Sequence, residues 1–101
     1  MGARLSGFEW DDGNLEHCRK HGVSRPEIEE VFSGPVIILP DSSHSQTERR
    51  LRAIGKTGGG RAVFIVFTIR ERGGRRYIRP VSARYMHQEE IDHYEEDNPD
   101  L

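Results

Sequence analysis

The sequence predicts an α+β domain with two N-terminal helices, an antiparallel sheet of about four strands and a C-terminal helix. Three observations lead there. Two helix-start patterns lie close together in the first third of the chain, at Asp11 and at Ser24-Arg25-Pro26-Glu27. Residues 61–70 then alternate strictly between apolar faces, as a strand does. Glycine pairs and triplets separate this run from its neighbours, as hairpin turns do.

Phe8-Glu9-Trp10 reads as a short extended segment with two aromatic anchors, both expected in the core. Asp11 is placed to cap a helix over 12–21, with Leu15 and Cys18 on its inner face and Gly22 closing it. Ser24 to Glu27 is a capping box with proline in the first turn, opening a second helix that buries Ile28, Val31 and Phe32 and stops at Gly34-Pro35. Val36 to Leu39 is a strand, and 40–47 is a polar loop. Residues 48–56 form the next strand, with Leu51 and Ala53 on one face and Arg50, Arg52 and Ile54 on the other. Gly58-Gly59-Gly60 turns the chain into 61–70, where both faces are apolar, so this strand is expected to be central and covered on each side. A second turn leads to a strand over 75–82, where Pro80 implies an edge position or a bulge. A helix over 86–96 ends the domain, and 97–101 is expected to be a tail. The whole chain, 1–101, is thus expected to make one domain, with 8–96 as its core, no linker and no repeat.

The charges are sorted into blocks. Residues 49–84 hold eleven Arg or Lys and one acid, residues 1–48 hold four bases and nine acids, and residues 85–101 hold no base and seven acids. Ten of the eleven central cations are arginine, whose planar fork suits phosphate better than an ammonium does. One cysteine excludes an internal disulfide framework, and no apolar run reaches the length of a membrane span, so a cytoplasmic protein is expected. No spacing matches a metal site, and no glycine-rich loop between a strand and a helix offers a nucleotide cradle, so no cofactor is expected.

Phe8-Glu9-Trp10-Asp11, Asn14 and Arg19-Lys20-His21-Gly22-Val23 resemble the opening of the BrnT toxins of bacterial type II toxin–antitoxin systems. Asp41, His44-Ser45, Glu48, Arg50 and Gly55 resemble the family's middle, and Arg79, Ser82-Ala83-Arg84, Glu90 and Tyr94 its close. The resemblance implies a RelE-like fold, an endoribonuclease that cuts mRNA and inhibits translation, and a BrnA-like ribbon-helix-helix antitoxin in a hetero-oligomer. Operator DNA would be reached only through that antitoxin. In the family the closing helix is often basic; here it reads His87-Gln88-Glu89-Glu90 and stays acidic.

Cleaving RNA without a metal requires an aligned 2′-hydroxyl, fixed donors on the phosphoryl oxygens and a route for two protons. Arg50, Arg79 and Arg84 are the candidate phosphate donors. Lys20 and His21 are the first candidates for proton transfer and His44 the next, with Tyr77 also available. Arg52, Lys56, Arg61, Arg76 and Tyr77 are expected to extend the RNA contact. Each has a plainer reading. Lys20-His21-Gly22 also fits a helix C-terminus, where cations meet the dipole and glycine caps. Arg50 also fits a surface pair with Glu48, and Ser82-Ala83-Arg84 a strand end turning into a helix. A second function stays open, a non-catalytic module that holds an antitoxin and serves as co-repressor. A free-standing DNA-binding protein fits poorly, because the helical segments are acid-rich and offer no basic recognition helix.

Overall fold

The computed structural model describes residues 5–41 and 49–97. Its elements are β1 (Leu5–Phe8), α1 (Asp12–Arg19), α2 (Arg25–Ser33), β2 (Val36–Asp41), β3 (Arg50–Lys56), β4 (Ala62–Arg72), β5 (Arg75–Tyr85) and α3 (Gln88–Asp97). The fold is α+β, with one five-stranded sheet in the order β1-β5-β4-β3-β2. Strands β2 to β5 form the expected antiparallel meander. The sheet is mixed rather than antiparallel throughout, because β1 joins β5 in parallel. Leu5-Ser6-Gly7-Phe8 has no alternation of its own; its strand exists because β5 offers an open edge.

Both helix starts form as capping boxes. Asp11 accepts from the Asn14 backbone N–H at 3.0 Å, and the Asn14 side chain accepts from the Asp11 N–H at 2.8 Å. Ser24 and Glu27 repeat the exchange at the start of α2. Asn14 is almost fully buried and also donates Nδ2–H to the carbonyls of Glu9 at 3.0 Å and Pro80 at 2.9 Å. It therefore ties α1 to the middle of β5.

Alternation along the strands divides the sheet into two faces. One face carries Ala53, Val63, Ile65, Phe67, Ile78 and Ala83, packed under α1 and α2 with Cys18, Val23, Ile28 and Val31. Phe32 stacks edge-on between Phe8 (5.7 Å) and Phe67 (5.1 Å), which fixes α2 over the sheet. Where α2 meets β3 the approach is so close that a Cβ on Gly55 would stand 3.0 Å from Val31 and 3.1 Å from the Pro35 carbonyl. The opposite face has a smaller apolar patch of Ile54, Ala62 and Met86, with Ile37, Phe64, Ile91 and Tyr94 of and around α3 packed on it. Helices therefore cover the central strand along one face and only at one end of the other, although farther along that second face Thr68 is also buried.

Pro80 sits at a bulge. The β4–β5 register jumps from Val66↔Ser82 to Phe67↔Pro80, leaving Val81 unpaired. Strand β5 is not an edge, but β1 stops pairing at Ile78, so the side of Pro80 that lacks an N–H faces no strand. Strand β5 also runs three residues past the expected end. Ser82 pairs with Val66 inside the sheet and caps no helix, and α3 starts only at Gln88. The Arg72-Gly73-Gly74-Arg75 turn is the expected tight hairpin, with both glycines at positive φ (59° and 78°).

Candidate active site on the arginine face

Strand register places the arginines. Arg50, Arg52, Ile54 and Lys56 alternate with the core residues of β3, and Arg79 and Arg84 lie opposite Thr68 and Phe64 of β4. All three candidate phosphate donors, Arg50, Arg79 and Arg84, therefore rise from the face that α1 and α2 leave uncovered. Arg50 and Arg79 stand on strands two apart, about 10 Å between backbones. Arg79 and Arg84 are separated by the four-residue step from Thr68 to Phe64, about 13 Å along the strand. The first two are near enough to converge on one anion; Arg84 stands at the next position along the face.

Carboxylates order this face. Glu9 receives Arg72 Nε–H at 2.7 Å and Arg79 Nη1–H at 3.3 Å, with Arg70 at 4.0 Å. Arg79 also donates to Asp11 at 2.9 Å. Arg72's hydrogen bond, reinforced by the charges of Arg79 and Arg70, holds the Glu9 carboxyl below its ordinary range. The Asn14 N–H and then Arg79 do the same for Asp11. Arg84 grips Glu90 with two bonds of 2.8 Å, and this grip together with the His87 N–H brings the Glu90 carboxyl down to about 2. Arg52 donates to Asp41 at 3.3 Å. Arg50 pairs with no carboxylate among the described residues. The guanidinium carbons of Arg84 and Arg52 lie 4.7 and 5.8 Å from the Phe64 ring centre, so one aromatic ring orients two cations.

The remaining sequence candidates divide between the layers. Lys56 and Tyr77 belong to the arginine face, Tyr77 opposite Arg70 beside an open recess of about 330 Å³ lined also by Phe8, Glu9, Trp10 and Arg72. Lys20 and His21 are exposed at the end of α1, in the layer across the sheet from Arg50 and Arg84. Near them the Tyr85 hydroxyl donates to Glu27 at 2.8 Å and lies 3.3 Å from the Gly22 carbonyl. Arg61 covers the Tyr85 ring at 3.5 Å, so it too belongs to that layer. Arg76 points to the core-facing side, 3.7 Å from Glu71. His44 and Glu48 lie outside the described residues. The Cys18 thiol is fully buried, and burial pushes it up to about 11, so it is an inert core group as its sequence position suggested. Among the described residues no three His, Cys, Asp or Glu side chains group as a metal site, and no helix is long and apolar enough to cross a membrane.

Sequence reasoning missed Glu9 as the hub of three arginines and Phe64 as a cation platform. The charge of Glu9 carried no hint of this, because its partners come from 61 to 70 residues later. Phe64 reads from sequence only as an apolar strand residue.

Residues 10–90 match the family model described as the ribonuclease toxin, BrnT, of type II toxin–antitoxin systems. The chain belongs to that family. The match spans Arg50, Arg79, Arg84 and Glu90, and it leaves Glu9 and the acidic end of α3 outside. A family of type II toxins implies a protein antitoxin as partner. No curated protein matches the chain.

Proposed function

We propose that this BrnT-family toxin is a metal-independent endoribonuclease that cuts mRNA by attack of a 2′-hydroxyl on the adjacent phosphate. The observation that carries this reading is the shared face of Arg50 and Arg79, two strands apart. Arg79 is braced by Glu9 and Asp11, and Arg50 has no ion-pair partner among the described residues. Charge that builds on the phosphoryl oxygens in the transition state meets the Arg79 guanidinium already held in place by two carboxylates, and Arg50 beside it, unpaired among the described residues, has its donors free for the phosphate. Arg84 continues the cationic track, with Arg52, Lys56 and Tyr77 beside it. The reading includes action in the cytoplasm and neutralisation by a BrnA-like ribbon-helix-helix antitoxin in a hetero-oligomer, which reaches operator DNA through the antitoxin.

The test is an end-labelled RNA incubated with the purified chain in EDTA, beside a copy in which the ribose at the cleaved nucleotide is replaced by deoxyribose. Cutting of the first and survival of the second are expected. Cutting of both would mean that water is the nucleophile, and arrest by EDTA would mean that a metal is required. If both stay intact with and without EDTA, the second reading stands. It is a binding module whose arginines hold acidic segments of a partner, as Arg79 and Arg84 already hold carboxylates of their own chain.

A further inference from the structure

Helix α3 lies on the arginine face with Ile91 and Tyr94 packed on the sheet, Glu90 and Glu95 beside them reaching its cations, and Glu89, Asp92 and Glu96 exposed. Glu90 meets the Arg84 fork with both carboxylate oxygens at 2.8 Å, the geometry in which arginine grips two oxygens of a phosphodiester. Glu95 meets Lys56 Nζ at 3.2 Å. Five residues apart on a helix, the two carboxylates are stepped by about 7.5 Å along its axis. Phe64 supports the Arg84 guanidinium from below and Arg52 flanks the ring, so this strip stays ordered whichever anion it holds. The apolar seat of α3 is small: Met86, Ile91 and Tyr94 on Ile54, Ala62, Phe64 and Ile37. Both ion pairs are reachable from water, with side-chain exposures of 38% and 31% for Arg84 and Glu90 and of 37% and 41% for Lys56 and Glu95. Pairs this exposed exchange readily.

We propose that Lys56, Phe64 and Arg84 form a second phosphate subsite of the RNA track, and that Glu90 and Glu95 occupy it as phosphate stand-ins until RNA replaces them. The proposal rests on the ribonuclease reading above and adds the site's second contact and its resting state. A strand of RNA lying across the face would place its scissile phosphate at Arg50 and Arg79 and a phosphate farther along the strand, not the adjacent one, at Arg84. The acidic helix then acts as a competitor rather than as a general repellent. Glu89 and Glu96, on the same helix but exposed and turned away, take no part.

The test uses the full chain and a fluorescent RNA oligonucleotide methylated at every 2′-oxygen, which binds but offers no nucleophile. The double variant E90Q/E95Q should bind it about fivefold more tightly than the parent at low salt, the scale of removing exposed competing ion pairs. The amide oxygen that E90Q introduces can still accept the His87 N–H, so the start of α3 is kept. The control E89Q/E96Q removes the same charge from the outer side and should gain much less. Equal gains in the two double variants would reduce the effect to net charge and overturn the proposal, as would no gain in E90Q/E95Q. Should that variant lose its fold, the parent decides: bound RNA should speed amide exchange across residues 88–97, and unchanged exchange would overturn the proposal. Failure of the ribonuclease reading has a different signature, since unmethylated RNA would then stay intact with parent and variants alike, whatever their affinities.

Discussion

The two faces of the sheet are built from the same strands, one residue out of step, yet they hold together by different physics. The face under α1 and α2 is closed by apolar contact, with Val63, Ile65 and Ala53 removed from water. The other face has only a small apolar patch at one end and is otherwise ordered by guanidinium groups bound to carboxylates, Glu9 from far along the chain and Glu90 and Asp41 from nearby, and by the Phe64 ring beside two arginines. The contrast separates stability from chemistry. Contacts on the first face fix the strands; charges on the second are left with donors to spend on a ligand, because the strands need nothing further from them.

The sharpest way to break this comparison is to cut into the covered face. Ile65→Ala should destabilise the protein by about 4 kcal/mol, as large-to-small changes at fully buried sites do. Its neighbour Val66, on the arginine face and only partly buried, should cost well under half of that as Val66→Ala. Urea unfolding of the two variants measures both. Equal losses would mean that the faces are not energetically distinct.

Next in size is a comparison along β5. Arg79→Ala should lower RNA cleavage by about 10²- to 10³-fold under single-turnover conditions with the fold intact, the cost of losing one preorganised donor to the transition state. Arg76→Ala, three residues earlier and on the opposite side, should leave the rate nearly unchanged. Similar losses from both would assign the effect to overall charge.

The smallest expected effect is electrostatic. The Glu90 carboxyl is lowered from 4.5 to about 2 by Arg84 and the His87 N–H. A carboxyl depressed on folding stabilises the folded state above its unfolded value, and that contribution is lost as pH falls from about 4.5 toward 2. The pair is partly exposed, so the loss should stay below about 1 kcal/mol. Thermal melts of the parent and E90Q between pH 5 and 2.5 should converge as the pH drops. A constant difference would mean that the pair contributes nothing as an ion pair.

Local chemistry explains what the sequence made legible. Both N-caps, the alternation of β3 and β4 and the Gly73-Gly74 turn each depend on residues within a few positions of one another. The side assignments of Arg50, Arg52 and Ile54 followed from that alternation and agree with the register. Strand β1 was hidden because its only partner is β5, some seventy residues on. The end of β5 was hidden by the bulge at Val81, which interrupts the period that marks a strand. In the candidate site, the choice of arginine as phosphate donor came from residue type, and the shared face of Arg50, Arg79 and Arg84 came with the strands. The motif around Lys20 and His21 carried no information about layers, so nothing in it told that the sheet would stand between those residues and Arg84. The brace at Glu9 was invisible because its arginines come some sixty to seventy residues later, whereas Glu90 lies only six residues past Arg84.

One consequence concerns the order in which the molecule is made. Glu9 and Arg79 are 70 positions apart, and Asn14 and Pro80 are 66 apart. Closing such long loops costs entropy before any contact rewards it, so folding is delayed until the late strand is present. A ribosome translating this message therefore carries a nascent chain whose Arg79 is unsupported until most of the polypeptide has left the exit tunnel. The arginine face is thus completed late, after the helical layer and the first strands have been made.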